Sequence, residues 1–295
     1  RIGVSLPAPD HGWTGGAVWW AKQAMAMYPD IEFDLQTASK PEEQVSQIET
    51  MMQKGVDGLV ILATESAPLT PVAEQAYNKD ILVVNVDRGF LKPVAHLFIE
   101  GDNKAFGRKS AEYMVEKLGG KGNAKGNIVI LEGIPSTVNS DRVNSALEVF
   151  SAEPGIKIVA RQSGKWNKDE AMKVTETILQ QNPQIDAIWA SDDDMAEGVE
   201  VALKSSGRIN SNIWVLGGAG KKEVVKRVMD GDKLFPADIT YPPSMTALAV
   251  HNAVSILRDG KRSEIMKFTP RHMKIDVDLI TPENAKDYYF PDAAF

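Results

Sequence analysis

Residues 81–89 read Ile81-Leu82-Val83-Val84-Asn85-Val86-Asp87-Arg88-Gly89, an apolar run that ends in an acid, a guanidinium and a glycine. So dense a run of β-branched and aliphatic residues predicts a strand buried on both faces, as in a parallel sheet. The polar pair then sits where the strand leaves the sheet, and in an open parallel sheet ligands bind at that carboxyl end. Asp87 offers an acceptor-only carboxylate and Arg88 a fork of donors. Two opposite hydrogen-bonding characters at one rigid point suit a hydroxyl-rich small molecule. The competing interpretation is a surface ion pair, contributing about 0 to 1 kcal/mol.

Outward from this stretch, short apolar runs alternate with amphipathic ones. Strands are expected at Ile2 to Leu6, Ile31 to Leu35, Gly58 to Leu62, Ile81 to Val86, Leu97 to Ile99, Ile128 to Leu131, Ile156 to Ala160, Ala187 to Ala190 and Ile213 to Leu216. The clearest intervening helix begins at Pro41, a favoured first-turn residue, with Glu42 and Glu43 complementing the positive end of the helix dipole. Val45, Ile48, Met51 and Met52 fall on one face, and Gly55 stops it. Repetition of this unit predicts a doubly wound α/β architecture. The strands are too many for one compact sheet, so two lobes are expected, with a break at Asp102-Asn103-Lys104. The glycine-rich stretch 119–126 is a surface loop rather than a linker, because a strand follows it at once. Each lobe has its own strand ends, and the cleft between the two sets is the natural ligand site.

At 295 residues with 43% hydrophobic content, the chain has the length for two ordinary domains. No run approaches the roughly 18 apolar residues of a membrane span. Arg1 opens directly onto the strand-like Ile2-Gly3-Val4-Ser5-Leu6, so any encoded export signal or lipid anchor is expected to have been removed. With no cysteine, disulfides, thiolate metal sites and cysteine nucleophiles are excluded. A net charge of −7, with lysines and arginines scattered among acids, argues against a nucleic-acid partner.

The first strand leads into Pro7-Ala8-Pro9-Asp10-His11-Gly12-Trp13-Thr14, and a helix is expected to start at Gly15-Gly16-Ala17. Two prolines and a glycine make a rigid loop that places Asp10, His11 and Trp13 on the same rim as Asp87 and Arg88. A tryptophan in a polar loop reads as a contact surface, although it also suits capping a core. The four histidines are dispersed, so a metal site is not expected. Farther on, Asn139-Ser140-Asp141-Arg142 enters a helix after a strand end. An arginine in a first helical turn opposes the dipole, and a residue placed against local preference is a functional candidate; pairing with a nearby acid explains it equally well. Gln162-Ser163-Gly164-Lys165-Trp166-Asn167 puts a second tryptophan in a strand-to-helix loop, so a flat ligand held between aromatic faces is a consistent reading. In Ser191-Asp192-Asp193-Asp194-Met195, capping accounts for one or two of the carboxylates, and Asp192, nearest the strand end, is left to face the cleft. Gly217-Gly218-Ala219-Gly220 lacks both phosphate-loop spacings, so nucleotide binding is a poor reading. No nucleophile elbow, metal-binding histidine pair or distinctive carboxylate pair is present, so no catalytic residues, no cofactor and no metal are assigned. These features indicate a binding protein rather than an enzyme.

Together these residues resemble the ribose- and galactose-binding branch of the type I periplasmic binding proteins, the solute receptors of bacterial sugar ABC importers. The similarity runs through the aromatic loop, Gln44 to Met52, Gly55-Val56-Asp57-Gly58-Leu59-Val60-Ile61, Val86-Asp87-Arg88, Gly101-Asp102-Asn103 and Asp192-Asp193-Asp194-Met195. It implies two Rossmann-like lobes with parallel sheets joined by a three-strand hinge. The lobes are expected at 1–103 plus 240–275 and at 104–239 plus 276–295. It also implies that Trp13 and Trp166 stack on a sugar ring and that Asp87, Arg88 and Arg142 bond hydroxyls. Asp192 stands where many relatives carry Asn, Thr240 where a relative places a polar hinge contact, and His11 where Asn or Asp is common. Relatives commonly carry a G-[FY]-D-G turn whose Asp binds hydroxyls; here Ala219 takes that place, so a differently shaped or less hydroxylated ligand is expected. The resemblance implies a monomeric periplasmic receptor for a neutral monosaccharide or polyol that closes around its ligand and docks on an ABC permease. Two other readings share the fold, an autoinducer-2-type signal receptor and the sugar-binding effector core of a LacI-type repressor.

Overall fold

The computed structural model describes residues 1–10 and 12–295. In chain order the first half contains β1 (Ile2–Pro7), α1 (Gly12–Ala26), β2 (Phe33–Ala38), α2 (Pro41–Gln53), β3 (Gly58–Ile61), α3 (Ser66–Asn78), β4 (Leu82–Val86), β5 (Leu97–Gly101), α4 (Asn103–Lys117), β6 (Gly126–Glu132) and α5 (Thr137–Ser151). Then follow β7 (Ile156–Ser163), α6 (Lys168–Gln181), β8 (Ala187–Trp189), α7 (Asp193–Ser205), β9 (Trp214–Leu216), α8 (Lys222–Met229), β10 (Asp238–Ile239), α9 (Met245–Leu257), α10 (Arg262–Phe268), β11 (His272–Ile275) and β12 (Leu279–Ile280).

The chain divides into two compact units, the first comprising Arg1–Gly101, Pro135–Val138 and Pro243–Ile275, the second Asp102–Ile134, Asn139–Pro242 and Asp276–Phe295. The first segment ends at 101 rather than 103, and its return begins at 243 rather than 240. Thr240 and Tyr241 stay with the second unit because backbone bonds hold them there: Thr240 N donates to Asp278 O and Tyr241 N to Ala219 O.

The first unit carries a six-stranded sheet in the order β11-β5-β4-β3-β1-β2, parallel throughout. Strands β1, β3 and β4 are central, and each is fully buried, as their unbroken apolar runs require. Helix α2 carries Pro in its first turn and buries Gln44, Ile48 and Met51; Ile48 and Met51 pack with Leu59, Ile61, Leu69, Val72 and Val83. The strand expected at Ile31 to Leu35 is displaced along the chain. β2 spans Phe33–Ala38 rather than Ile31 to Leu35, because Ile31 N donates to Tyr28 O in a turn that closes α1. β11 escaped the sequence reading because it is an edge strand whose residues alternate in exposure instead of forming an apolar run. Helix α1 starts at Gly12, ahead of the expected Gly15. Small buried residues, Gly16, Ala17, Ala21 and Ala24, let it lie against α9, where Thr246 Oγ1 donates to Ala17 O, and this packing outweighs the low helix propensity of glycine.

The second unit has a four-stranded parallel sheet, β7-β6-β8-β9, and a separate antiparallel pair, β10-β12. Four consecutive residues of β6, Ile128 to Leu131, are fully buried. The glycine-rich turn between α4 and β6 is held by Glu153, which accepts from Gly122 N.

Candidate functional site

In the first unit the sheet order places β1, β3 and β4 side by side, so their carboxyl ends form one rim. Asp87 follows the last residue of β4 with φ +62, a left-handed conformation that Asp tolerates better than most residues. Its N–H donates to Ile99 O. Arg88 Nη1 donates to Ala63 O at 3.0 Å and to Thr64 O at 2.9 Å, which lashes the guanidinium to the end of β3. Arg88 Nε lies 3.8 Å from Asp87 Oδ2, and both side chains are almost wholly buried, at 3% and 4% exposure. The surface ion-pair interpretation is therefore excluded. Asn85 supports the turn, donating from Nδ2 to Ile61 O and Arg88 O. The sequence reading missed Gln44, which is fully buried. Its Nε2 donates to Ser5 Oγ and Leu62 O while Thr64 N donates to its Oε1, so it ties the ends of β1 and β3 together. The available signal was a polar residue on the apolar face of α2.

Trp13 lies in the first turn of α1 rather than in a loop, and it is buried. Asp10 is exposed just ahead of that helix, with Thr14 Oγ1 donating to its Oδ1 at 3.4 Å. His11 lies outside the described residues.

Helix α5 begins at Thr137, at the end of a short segment of the first unit, so Arg142, which belongs to the second unit, occupies its second turn rather than the first turn where it would oppose the dipole. What marks Arg142 is burial, at 4% exposure, among neutral partners. Nε donates to Asn103 Oδ1 and Nη1 to Ser191 O, both at 2.9 Å, and the guanidinium lies over the rings of Phe106 and Tyr241. Trp166 stands 5.9 Å from the same guanidinium. Lys165 and Trp166 are both left-handed, at φ +58 and +53, which turns the indole back onto Gly133. A Cβ on Gly133 would come within 1.9 Å of that ring. Asp192 is itself the N-cap of α7, its Oδ1 accepting from Met195 N at 2.9 Å, so the expectation that capping falls to its neighbours is corrected. Burial and the adjacent Asp194 push its carboxyl well above the ordinary range, although Met195 N–H and Arg142 pull the other way. A carboxyl that holds its proton donates as well as accepts. Asp194 pairs with Lys221 at 3.0 Å. Thr240 is half-buried, and its Oγ1 accepts from Asp278 N. Ala219 sits beside it at φ +141, its N–H donating to Ile239 O; its methyl supplies no polar group.

Asp193 is committed to the backbone, accepting from Gly218 N and Lys221 N. Burial raises its pKa to about 6. Asp238, fully buried beside it, is raised well above the ordinary range by burial and by Asp193. Among the described residues Asp238 Oδ2 meets no N–H donor, so a proton on Asp238 satisfies both carboxyls. In the unfolded chain both ionise near the ordinary value of about 4, and the folded protein therefore binds more protons than the unfolded chain between that value and the raised ones. The pair's contribution is present at low pH and is lost as pH rises through 6 and above. Asp238→Asn, whose amide donates at every pH, is expected to flatten the fall in melting temperature between pH 5 and 8. Parallel curves for variant and parent would contradict the shared proton.

Among the described residues no group of three or more His, Asp or Glu is arranged to hold a metal, and no helix is long and apolar enough to cross a membrane.

Residues 2–262 match the family model described as periplasmic binding protein domain. The D-ribose/D-allose-binding protein of Pseudomonas aeruginosa is 26% identical over 90% of this chain and 82% of its own length. The xylitol-binding protein of Mycolicibacterium smegmatis is 31% identical over 79% of this chain and 65% of its own. Among solved structures, a periplasmic solute-binding protein of an ABC transporter from Actinobacillus succinogenes with bound D-allose is similar, with a TM-score of 0.81, 27% identity, and coverage of 97% of this chain and 99% of that one.

Proposed function

Since this chain belongs to the periplasmic binding protein domain family, we propose that it is the solute receptor of a carbohydrate ABC importer and takes a neutral monosaccharide or polyol. The family consists of binding proteins located outside the cytoplasm. The observation that carries the ligand class is the chemistry of the two strand-end clusters. Each combines a buried arginine, held by neutral backbone or amide acceptors, with a buried carboxyl and a buried tryptophan: Arg88, Asp87 and Trp13 in one unit, Arg142, Asp192 and Trp166 in the other. Donor forks beside carboxyls match the dual character of hydroxyl groups, and an indole face matches the C–H face of a sugar ring. Asp10, Thr240 and His11 complete the ligand-binding set. Ala219 offers no hydroxyl acceptor, which favours a ligand with fewer or differently placed hydroxyls.

In this reading the ligand engages groups of both units at once, binds one arrangement of the protein preferentially, and thereby presents that arrangement to the membrane permease. The receptor acts as a monomer in the periplasm and by binding alone.

A thermal-shift and calorimetric panel of D-allose, D-ribose, xylitol, myo-inositol, glycerol and the common hexoses tests this. A ligand present at a hundred times its Kd contributes about 2.7 kcal/mol, enough for a shift of several degrees. At least one panel member is expected to raise the melting temperature saturably. No shift and no heat across the panel would overturn the ligand class.

A further inference from the structure

The Arg142 side chain is held by a set of groups far apart in sequence, and their arrangement is closed on itself. Its guanidinium carbon lies 3.9 Å from the Phe106 ring centroid and 4.3 Å from that of Tyr241. The two rings meet edge to face, at 5.9 Å and 90°. Arg142 Nε donates to Asn103 Oδ1 at 2.9 Å, and Asn103 Nδ2 reaches the Tyr241 hydroxyl at 3.0 Å, which closes a ring of contacts through Arg142, Asn103 and Tyr241. Among the described residues Nε and Nη1 of Arg142 have acceptors and Nη2 has none.

We propose that Asn103, Phe106 and Tyr241 form a seat that fixes the Arg142 guanidinium, making them positioning residues for ligand binding; the proposal rests on the reading that Arg142 bonds the ligand. A buried guanidinium needs compensation, and two aromatic faces supply it while leaving N–H groups uncommitted, as a carboxylate partner would not. The amide of Asn103 takes the Nε proton and so sets the plane of the fork. The backbone shows how closely the parts are fitted. A Cβ at Gly107 would stand 1.9 Å from Arg142 O, so α4 and α5 touch there main chain to main chain and bring Phe106 against the arginine. On the other side, a Cβ at Gly218 would stand 2.2 Å from Phe106 Cζ.

The seat also spans two places where the chain passes from one unit to the other. Asn103 lies two residues after the Gly101 boundary, and Tyr241 lies just before the boundary at Pro243. The orientation of the ligand-binding arginine is thereby tied to the connecting segments.

The test combines calorimetry with arginine-detected NMR. D-allose, D-ribose and xylitol are titrated into the parent protein, Asn103→Ala, Phe106→Leu and Tyr241→Phe, and into the first two combined with Arg142→Lys. With any probe that binds the parent, Asn103→Ala and Phe106→Leu are expected to weaken binding about tenfold, on the scale of one lost hydrogen bond or cation–π contact, and Tyr241→Phe by less. In the Arg142→Lys background the same changes are expected to have no further effect, because lysine has neither the planar fork nor the Nε donor. Equal losses in both backgrounds would show a merely structural role and overturn the proposal. If no probe binds the parent, the function proposed above fails, and the seat is decided by the Arg142 Nε–Hε signal, assigned by its disappearance in Arg142→Lys. That signal is expected upfield and slow to exchange in the parent and shifted toward free arginine in Asn103→Ala and Phe106→Leu. An unchanged signal in both variants would overturn the seat.

Discussion

Arg142→Ala is expected to weaken binding of the cognate sugar or polyol by roughly a hundredfold, while the protein remains folded. Hydrogen bonds to a charged donor are worth about 1.5 to 3 kcal/mol each, and losing the pair offered to a ligand removes about 3 kcal/mol. The fold loses less, because Asn103 Oδ1 and Ser191 O lose a donor and both lie within reach of the cavity the side chain vacates, where water is able to replace it. Arg142→Lys separates charge from geometry. It keeps the cation but not the bidentate fork, so most of the affinity is expected to go with it. Calorimetric titration of the three proteins checks both statements, with circular dichroism as the control on folding. Affinity that survives in Arg142→Ala would remove the arginine from the site.

Gly133→Ala is expected to be the most disruptive single methyl in the second unit. The added Cβ would stand 1.9 Å from Trp166 Cε2 and 2.3 Å from Cζ2, inside any permitted contact, so either the indole leaves its position or the β6 end shifts. Neither route is easy. Trp166 is 5% exposed and its backbone is held left-handed with that of Lys165. Overpacking of this kind costs about 1 to 3 kcal/mol and sometimes more. Because the displaced ring is the one assigned to stack on the ligand, the variant is expected to lose affinity along with several degrees of melting temperature. A structure of the variant showing Trp166 unmoved, with parental affinity, would contradict the account of how this side chain is placed.

How much of this was legible in the sequence depends on the range of the interactions involved. The run from Ile81 to Val86 announces a doubly buried strand by composition alone, and Asp87 and Arg88 follow as strand-end residues because nothing apolar continues the run. Trp13, Trp166 and Asp192 are found in the same way, as polar or aromatic residues at strand-to-helix junctions. In the sequence Arg142 stands out as an arginine in a first helical turn, whereas α5 starts two residues earlier than Asn139 and what distinguishes Arg142 in the structure is its burial. The seat around it was not legible. Asn103 and Phe106 sit in α4, which meets the Arg142 backbone where Gly107 permits helix-to-helix contact, and Tyr241 comes in after β10, held to Ala219. That is a property of two surfaces separated by more than thirty residues, and no local pattern encodes it. β11 was missed for a related reason: an edge strand completes the sheet from the end of the chain with alternating residues that resemble a loop.

The most direct measurement is a crystal structure with whichever panel compound raises the melting temperature most. Ligand oxygens are expected within about 3.2 Å of Asp87 and Arg88 and, in the same complex, of Arg142 and Asp192, with Trp13 and Trp166 against the carbon skeleton. A ligand bonded to the groups of one unit only, or lodged away from both strand-end clusters, would contradict that expectation.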